Sequence, residues 1–334
     1  MRTALVTGAG GFIGSHLVRR LVQDGVRVRG LCRDARQGWR LAHAGAEPFR
    51  GDVTDTASTA RGAEGIEVVF HCATGGTTAT SAHLVNVTGT ANVLEAAATA
   101  GVRRVVHVSS MAVHPPGASE LTEDAPLRTS GGPYALSKAE GERTAWAIAE
   151  RRALPLTVLR PGIVYGPGSP MWTLGMLERV RSMRLALIDG GRAAANLVYV
   201  DDLVDALLLA ATEPAAPGES FLVSSATPDT WAVYLSHLAR MARRPQPASL
   251  PLWRARLSAM SSTWRQRVTG RPGRVEPADL NLMVRSSIIR IDKARRLLGF
   301  QPKVTLDDGM RRTEAWLRAE GYLPSAPVAP GWAA

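Results

Sequence analysis

The sequence predicts an α/β fold in which helices cover both faces of a parallel sheet. Short segments rich in valine and leucine alternate with helical patterns along the first half of the chain. These segments are continuously apolar, which is typical of strands buried on both faces. A glycine-rich turn follows the first segment at once. Strands joined by helices form βαβ units, and such units build a doubly wound parallel sheet.

The predicted elements follow from this alternation. Five segments predict strands: Ala4–Thr7, Arg27–Leu31, Val68–Cys72, Val105–Ser109 and Leu156–Arg160. Three longer patterns predict helices: Ser15–Asp24, Leu84–Ala100 and Tyr134–Arg151.

Composition indicates a globular chain. Its 334 residues are 45% hydrophobic and 21% charged, which is enough for a large buried core. Cys32 and Cys72 lie far apart, so neither a disulfide scaffold nor a zinc ribbon is expected. The longest apolar run, Ala206–Ala211, is too short to span a bilayer. We expect a cytoplasmic protein without a transmembrane segment or a signal peptide.

The net charge of +11 invites a nucleic-acid interpretation. Most arginines are scattered among acidic residues, and no DNA- or RNA-binding motif accompanies them. We therefore expect a small-molecule substrate and no nucleic-acid partner.

The glycine-rich turn predicts a dinucleotide site. Gly8, Gly11 and Gly14 follow the first strand and precede a helix, with Phe12 and Ile13 between the last two. Gly8 permits a tight turn, Gly11 lets the backbone approach a pyrophosphate, and Gly14 lets the helix pack closely on the strand. The N-terminus of the helix then offers free N–H groups to the phosphates.

The end of the second strand bears on the choice of cofactor. An acidic residue there favours NAD, whereas an arginine favours the 2′-phosphate of NADP. Cys32 stands where the acid would be, and Arg33 and Asp34 follow it. Arginine pairs well with phosphate, so NADP is predicted and NAD stays possible. Asp52-Val53, after the next short strand, is expected to contact adenine.

Tyr134 and Lys138 predict hydride-transfer chemistry. Their spacing puts both side chains on one helix face, one turn apart. A nearby ammonium group lowers the pKa of a phenol, so Tyr134 can exchange a proton with an alcohol or alkoxide. Ser109 and Ser110 end a buried strand, where ligands bind in open parallel sheets. The Ser110 hydroxyl is expected to bond the substrate carbonyl oxygen.

Together these features resemble an extended short-chain dehydrogenase/reductase of the NAD-dependent epimerase/dehydratase family. The resemblance runs from residue 1 to about Gly321. It rests on these segments: Thr7–Gly14, Asp52-Val53, Asn86–Val93, Ser109-Ser110, Tyr134–Lys138, Arg160–Gly162, Val198–Asp202, Asp292–Arg295 and Leu298–Phe300.

The resemblance implies a Rossmann-type domain and a smaller C-terminal substrate lobe. Residues 1–165, with a return around 196–225, are expected to form the domain. Residues 166–195 and 226–321 are expected to form the lobe, and 322–334 a flexible tail. In this family dimers often form through helices that correspond to Leu84–Ala100 and Tyr134–Arg151, so a homodimer is possible.

The resemblance also implies the site residues. Ser110, Tyr134 and Lys138 are the expected catalytic set, which includes Asn86 in support unless that residue merely caps a helix. Lys138 is also expected to bond the nicotinamide ribose. Further cofactor contacts are predicted at Cys72, Ala73, Thr74, Ser109, Tyr134, Lys138, Pro161, Gly162 and Val164.

Three departures indicate the branch of the family. Met111-Ala112 follow Ser110 where nucleotide-sugar dehydratases have an acid pair. Ala195–Leu197 stand where epimerases commonly have Arg-Asp-Phe, and resemble reductases of the 3β-hydroxysteroid dehydrogenase and dihydroflavonol reductase type. Val28–Asp34 resembles the NADP-selecting strand of the latter. We predict a ketone or aldehyde reductase, or the reverse alcohol dehydrogenase. The alternatives are a nucleotide-sugar epimerase and a non-catalytic cofactor-binding protein.

The segment from Thr230 to Val275 contains no acidic residue. A stripe of apolar residues recurs in it at helical spacing: Trp253, Leu257, Met260, Trp264 and Val268. Four arginines flank the stripe: Arg254, Arg256, Arg265 and Arg267. We expect a lid helix whose stripe packs on the core. Residues 253–274 could instead contact an anionic membrane or an acidic partner.

The histidines predict no metal site. His71, His107 and His114 lie in or near predicted buried strands without metal-ligand spacing. We expect them to be packed or loop residues.

Overall fold

The computed structural model describes residues 1–76, 78–269, 275–284 and 287–324. In the first half of the chain, strands and helices alternate. They are β1 (Thr3–Thr7), α1 (Phe12–Gln23), β2 (Arg27–Cys32), α2 (Ala35–His43), β3 (Glu47–Arg50), α3 (Thr56–Ala63), β4 (Val68–His71), α4 (Ala79–His83), a π-helical turn (Leu84–Thr88), α5 (Gly89–Thr99), β5 (Arg104–Val108), a 3₁₀ turn (Met111–Val113), β6 (Glu120–Leu121) and α6 (Pro133–Arg152).

The second half contains shorter strands and more helices. They are β7 (Leu156–Pro161), β8 (Ile163–Tyr165), a π-helical turn (Pro170–Gly175), α7 (Met176–Arg181), β9 (Leu187–Ile188), a 3₁₀ turn (Asp189–Gly191), β10 (Leu197–Tyr199), α8 (Val200–Thr212), β11 (Ser220–Val223), α9 (Trp231–Ala242), β12 (Ser249–Leu250), α10 (Leu252–Thr269), α11 (Pro277–Met283), β13 (Ile288–Ile289), α12 (Asp292–Leu298) and α13 (Leu306–Ala319).

A seven-stranded parallel sheet is the centre of the fold. Its strand order is β11-β7-β5-β4-β1-β2-β3. Leu17 of α1 and Leu203 of α8 belong to the core on one face, whereas Val93 of α5 and Ala145 of α6 belong to the core on the other. Because the strand order reverses direction between β1 and β4, the carboxyl ends of these strands form the crevice where such sheets bind ligands.

The predicted strands and helices of the sheet are found with small shifts. All five predicted strands are present, and α1 begins at Phe12, three residues before the prediction. The predicted helix Leu84–Ala100 is longer and less regular, because Thr78 and Ser81 form a capping box that starts helical structure at Ala79.

The predicted division into domains is compatible with this topology but stays a prediction. The return segment 196–225 supplies α8 and the edge strand β11. Helices α5 and α6 pack against each other on one face of the sheet. The homodimer through them also stays a prediction. Residues 325–334 of the expected tail lie outside the described residues.

The prediction that the apolar stripe of α10 packs on the core is wrong for its described side chains. Trp253, Leu257 and Met260 are exposed. The helix instead buries Ala255 and Ala259 on its opposite side, since small residues let it lie close to the rest of the lobe. The side chains of Trp264 and Val268, and residues 270–274, lie outside the described part.

No helix among the described residues is both long enough and apolar enough to cross a bilayer.

One glycine fixes how closely α6 approaches the π-helical turn before α5. A Cβ at Gly141 would lie 2.0 Å from the carbonyl oxygen of Asn86. We expect Gly141→Ala to lower the free energy of unfolding by about 1–3 kcal/mol, because one of the two helical segments must shift. Chemical denaturation with circular dichroism measures this change.

The matched control is Gly62→Ala in α3. A Cβ at Gly62 meets Phe49 at an ordinary 3.6 Å, and alanine is the better helix former. Equal losses of stability in the two variants would contradict the packing argument.

Candidate active site

The glycine-rich turn lies at the centre of the crevice. Gly8 has a left-handed backbone (φ +66°), and a Cβ there would lie 2.8 Å from the backbone of Ala73 after β4. A Cβ at Gly14 would lie 2.2 Å from the Gly8 carbonyl oxygen. Glycine at both positions therefore lets the turn fit between β1, β4 and α1.

This turn forms one wall of a cleft of about 470 Å³. Predicted cofactor residues line it: Gly8, Gly11, Phe12, Ile13, Gly14, Arg33, Asp52, Val53, Cys72, Ala73 and Thr74. Other lining residues were missed from the sequence, among them Leu31, Gln37, Gly51, Val85 and Pro170. Gln37 packs over Gly10 from α2, and the α2 pattern after Arg33 was the signal that could have found it.

These residues fit a dinucleotide. The N-terminus of α1 begins directly after Gly11, and Gly11 carries no side-chain cap. Free N–H groups there suit a diphosphate. The Asp52 carboxylate accepts hydrogen bonds from the backbone and the hydroxyl of Thr54, both at 2.9 Å, and borders the cleft beside Val53.

At the end of β2, the carboxylate of the acidic residue, Asp34, is used to cap a helix. Asp34 is the N-cap of α2 and accepts the Gln37 N–H at 2.8 Å. Cys32 is buried, and its thiol lies 3.5 Å from the Phe49 carbonyl oxygen. Arg33 is exposed and lines the cleft. A guanidinium group, and not a carboxylate, is thus presented at this end of the cleft.

The structure brings the predicted catalytic set together at the carboxyl end of β5. Tyr134 lies in the first turn of α6 with 48% of its surface exposed. Its hydroxyl group lies close enough to that of Ser110, which begins the 3₁₀ turn after β5, for the two to interact. Desolvation by the surrounding protein raises the pKa of Tyr134, and the interaction with Ser110 opposes this effect.

Lys138 follows Tyr134 by one helical turn on α6. Its Nζ donates to the Val108 carbonyl oxygen at 2.7 Å, and its side chain is buried. Burial lowers the pKa of Lys138 to about 8, although the Glu142 carboxylate acts in the opposite direction. Burial raises the pKa of the neighbouring Cys72 thiol to about 12. Of Lys138 and Cys72, the lysine therefore has the pKa that lies closer to neutral pH.

Glu142 is a residue that the sequence analysis missed. Its carboxylate is fully buried, accepts a hydrogen bond from the Ser109 hydroxyl at 2.5 Å and pairs with Arg160 at 2.5 Å. It thus ties α6 to the ends of β5 and β7. The signal was present, because Glu142 follows Lys138 by four residues and so shares its helix face.

Asn86 supports the site from the π-helical turn. Its amide Nδ2 donates to the Ser137 hydroxyl at 3.0 Å, and its Oδ1 accepts from the Thr74 hydroxyl at 3.0 Å. The N-cap alternative is wrong, because Asn86 lies inside a continuous helical run that Thr78 caps. Asn86 therefore connects the loop after β4 to the helix that carries Tyr134.

His71 and His107 lie in the neighbouring strands β4 and β5. The rings stack with centroids 5.0 Å apart, and both are buried. His71 exchanges hydrogen bonds with the hydroxyls of Thr7 and Thr90 at 2.7 and 2.9 Å. Burial lowers the pKa of both histidines, to about 3 for His71. Both histidine rings are therefore uncharged at neutral pH. The ring Nδ1 of His114, which lies beyond the 3₁₀ turn after β5, is 3.2 Å from the Pro126 carbonyl oxygen.

Six predicted cofactor residues are not among those that line the cleft: Ser109, Tyr134, Lys138, Pro161, Gly162 and Val164. The last three lie in or between β7 and β8. Pro161 ends β7, and Gly162 packs so closely on Asn196 that a Cβ would lie 2.1 Å from its carbonyl oxygen. Val164 is buried in β8. Cofactor contacts at these three residues, and at Ser109, Tyr134 and Lys138, stay predictions.

Comparison with known proteins identifies the family. The chain matches the NAD dependent epimerase/dehydratase family over residues 4–224 and belongs to it. It is 30% identical to a 4-hydroxy-2-methyl-3-oxo-4-farnesyl-3,4-dihydroquinoline-1-oxide ketoreductase of Stigmatella aurantiaca, over 97% of this chain and 99% of the relative.

Two further likenesses come from other branches. The chain is 32% identical to a UDP-glucose 4-epimerase of Mycolicibacterium smegmatis, over 95% of this chain and 99% of the relative. The crystal structure of MoeE5 with UDP-glucose and NAD superposes with a TM-score of 0.75 at 27% identity, over 95% of this chain and 99% of that one. The predicted family, the Rossmann-type fold and the NAD-dependent oxidoreductase class are confirmed.

The burial of Lys138 gives a prediction about stability and pH. The pKa of an unfolded lysine is about 10.4, and that of native Lys138 is about 8. Between these values the unfolded chain binds more protons, so this lysine makes the free energy of unfolding rise with pH. Its contribution is complete above the unfolded pKa and is lost as pH falls through about 8.

We therefore compare wild type with Lys138→Met, in which this titration is absent and the others remain. Between pH of about 7.5 and about 10, wild type should gain about 2–3 kcal/mol relative to the variant. Urea unfolding at both pH values measures the difference. Parallel changes in the two proteins would show that the native pKa of Lys138 is not depressed.

Proposed function

We propose that this enzyme is an NADP-dependent ketoreductase that acts on an apolar ketone, and that Tyr134 is its proton donor. The observation that carries the proposal is that the Tyr134 and Ser110 hydroxyl groups meet at the carboxyl end of β5, with Lys138 one helical turn after Tyr134 on α6. This pair lies at the carboxyl ends of parallel strands, where sheets of this kind bind ligands. A carbonyl oxygen between the two hydroxyl groups would receive a hydrogen bond from each.

The side chains have separate tasks in this reaction. When bound, the dinucleotide supplies the hydride. The Ser110 hydroxyl holds the carbonyl oxygen, and Tyr134 donates its phenolic proton to the alkoxide that develops there. Lys138, when protonated, stabilises the tyrosinate that results. The raised pKa of Tyr134 keeps the phenol protonated at neutral pH, which is the form that a proton donor needs.

The surroundings support an apolar substrate. Val85 and Pro170 line the cleft, and their chain neighbours Leu84 and Met171 are exposed apolar side chains. Apolar groups in the lining of a pocket, such as Val85 and Pro170, suit a ligand of low polarity. The relative from Stigmatella aurantiaca is named for a 3-oxo substrate with a farnesyl group.

Nucleotide-sugar epimerisation is the second candidate, because a UDP-glucose 4-epimerase is 32% identical to the chain. The segment Ala195–Leu197 counts against it. Ala195 and Asn196 are buried, and the Asn196 amide Nδ2 donates to the Ser287 carbonyl oxygen at 2.8 Å. This segment therefore offers no cation for a sugar diphosphate, whereas arginine suits that role.

For the cofactor, Arg33 supports NADP. It borders the cleft at the end of β2, and the adjacent Asp34 carboxylate is used as a helix cap. A guanidinium group can bind a ribose 2′-phosphate with two hydrogen bonds, whereas an NAD-specific site would present a free carboxylate to the ribose hydroxyls.

Replacing the proton donor tests the proposed reaction. We expect Tyr134→Phe to lower the rate of NADPH oxidation with a long-chain 3-ketone by at least about a hundredfold, because the variant lacks the acid. NADPH binding should stay near normal, since the glycine turn is untouched. Absorbance at the NADPH band and fluorescence titration measure the two quantities.

The control is Tyr322→Phe, which removes an exposed hydroxyl far along the chain. It should retain wild-type turnover. Unchanged turnover in Tyr134→Phe would refute the assignment of the acid. Interconversion of UDP-glucose and UDP-galactose without ketone reduction would favour the epimerase instead.

Cofactor choice is tested at the end of β2. We expect Arg33→Ala to weaken NADP binding at least about tenfold and NAD binding much less, because it removes a charge-assisted pair with the 2′-phosphate. Isothermal titration with each dinucleotide measures both constants. The exposed neighbour Arg36, which does not line the cleft, provides the control Arg36→Ala. Equal losses for NADP and NAD in Arg33→Ala would show that another residue selects the cofactor.

A further inference from the structure

Helix α10 presents its large apolar side chains to solvent. Trp253, Leu257 and Met260 are 59%, 58% and 72% exposed. Their spacing of four and three residues puts them on one face of the helix. A row of three such side chains is not the isolated exposed residue that is normal on a protein surface.

The opposite face of α10 accounts for its orientation. Ala255, Ala259 and Ser262 are buried there, and the helix contacts α11. The small residues thus seat the helix on the lobe, while the large residues are directed away from it. An amphipathic helix that serves only as part of a core has the reverse arrangement.

Basic side chains flank the apolar row. Arg254 and Arg256 lie on either side of it by helical spacing, and the Arg254 guanidinium stacks over the Trp253 ring at 4.9 Å. No acidic residue occurs from Thr230 to Val275. Asp189 lies at one end of the face, where its carboxylate accepts the Leu252 N–H at 2.9 Å and so caps the start of the helix.

We propose that this face of α10 docks the enzyme on the surface of an anionic phospholipid membrane. Tryptophan, leucine and methionine would enter the boundary between headgroups and acyl chains, and the arginines would meet lipid phosphates. The charge of the segment matches an anionic surface. A protein partner would need acidic groups beside an apolar patch, whereas the lipid surface combines both properties everywhere.

Vesicle flotation tests the docking directly. Vesicles of phosphatidylcholine with about 30% phosphatidylglycerol should carry the protein, whereas pure phosphatidylcholine should carry at least about tenfold less. Raising salt from about 0.1 M to about 0.5 M should weaken the binding, because the arginine contribution is screened. The measurement needs neither substrate nor turnover, so it is independent of the proposed reaction.

Two variants separate the apolar contribution from the charge. Trp253→Ala/Leu257→Ala/Met260→Ala should lower the partition coefficient at least about tenfold, and alanine preserves the helix. Arg254→Gln/Arg256→Gln should lower it at least about tenfold on anionic vesicles and little on neutral ones. Trp39, which is 67% exposed on α2 between arginines, provides the matched control Trp39→Ala with unchanged binding.

Circular dichroism and NADPH titration of each variant should match wild type, because none of the substituted residues lines the cofactor cleft. Absence of flotation on anionic vesicles would overturn the proposal. So would equal binding by the triple variant and wild type. If the triple variant sediments as a smaller species than wild type while its flotation is unchanged, the face binds a second copy of the chain instead.

Discussion

The site depends on the buried ion pair between Glu142 and Arg160. It fixes α6 against the ends of β5 and β7, and α6 carries both Tyr134 and Lys138. Removing one partner of such a pair leaves an uncompensated buried charge, which costs about 3–5 kcal/mol. The same carboxylate holds the Ser109 hydroxyl and raises the pKa of Lys138. One interaction therefore positions the helix and partly offsets the effect of burial, which lowers the pKa of Lys138.

The glycine turn is the second constraint, and it acts through close approach of backbones. A Cβ at Gly8 would lie 2.8 Å from the backbone of Ala73. Because glycine has no Cβ, β1 and β4 can end side by side. In the loop after β4, the Thr74 hydroxyl donates a hydrogen bond to the Asn86 side chain, and the Asn86 amide donates one to Ser137 on α6. The loop that borders the cofactor cleft and the helix that carries Tyr134 are thus joined through the side chain of Asn86.

The sequence predicted the sheet well, because strands buried on both faces are read from continuous apolar runs. Helical spacing also predicted that Tyr134 and Lys138 share a helix face, and the resemblance to the family implied that Ser110 joins them. Glu142 was missed although its spacing from Lys138 was visible, because only the fold shows that Arg160 lies opposite. Gln37 was missed for a related reason, because only the fold shows that the Gln37 side chain packs over Gly10 of the glycine turn.

The direction of the apolar stripe on α10 shows a general limit of periodicity. A period of 3.6 residues indicates that large apolar side chains share a face, but not which surface that face meets. Which face of a helix is buried depends on the side chains around its whole circumference. Here Ala255 and Ala259, on the side opposite the stripe, are buried against the rest of the protein. Trp253 and Met260 are then left outward. When a helix has uncharged residues on two opposite faces, the face with the smaller residues can pack on the core. The larger apolar residues on the other face are then exposed and can contact another molecule or a membrane.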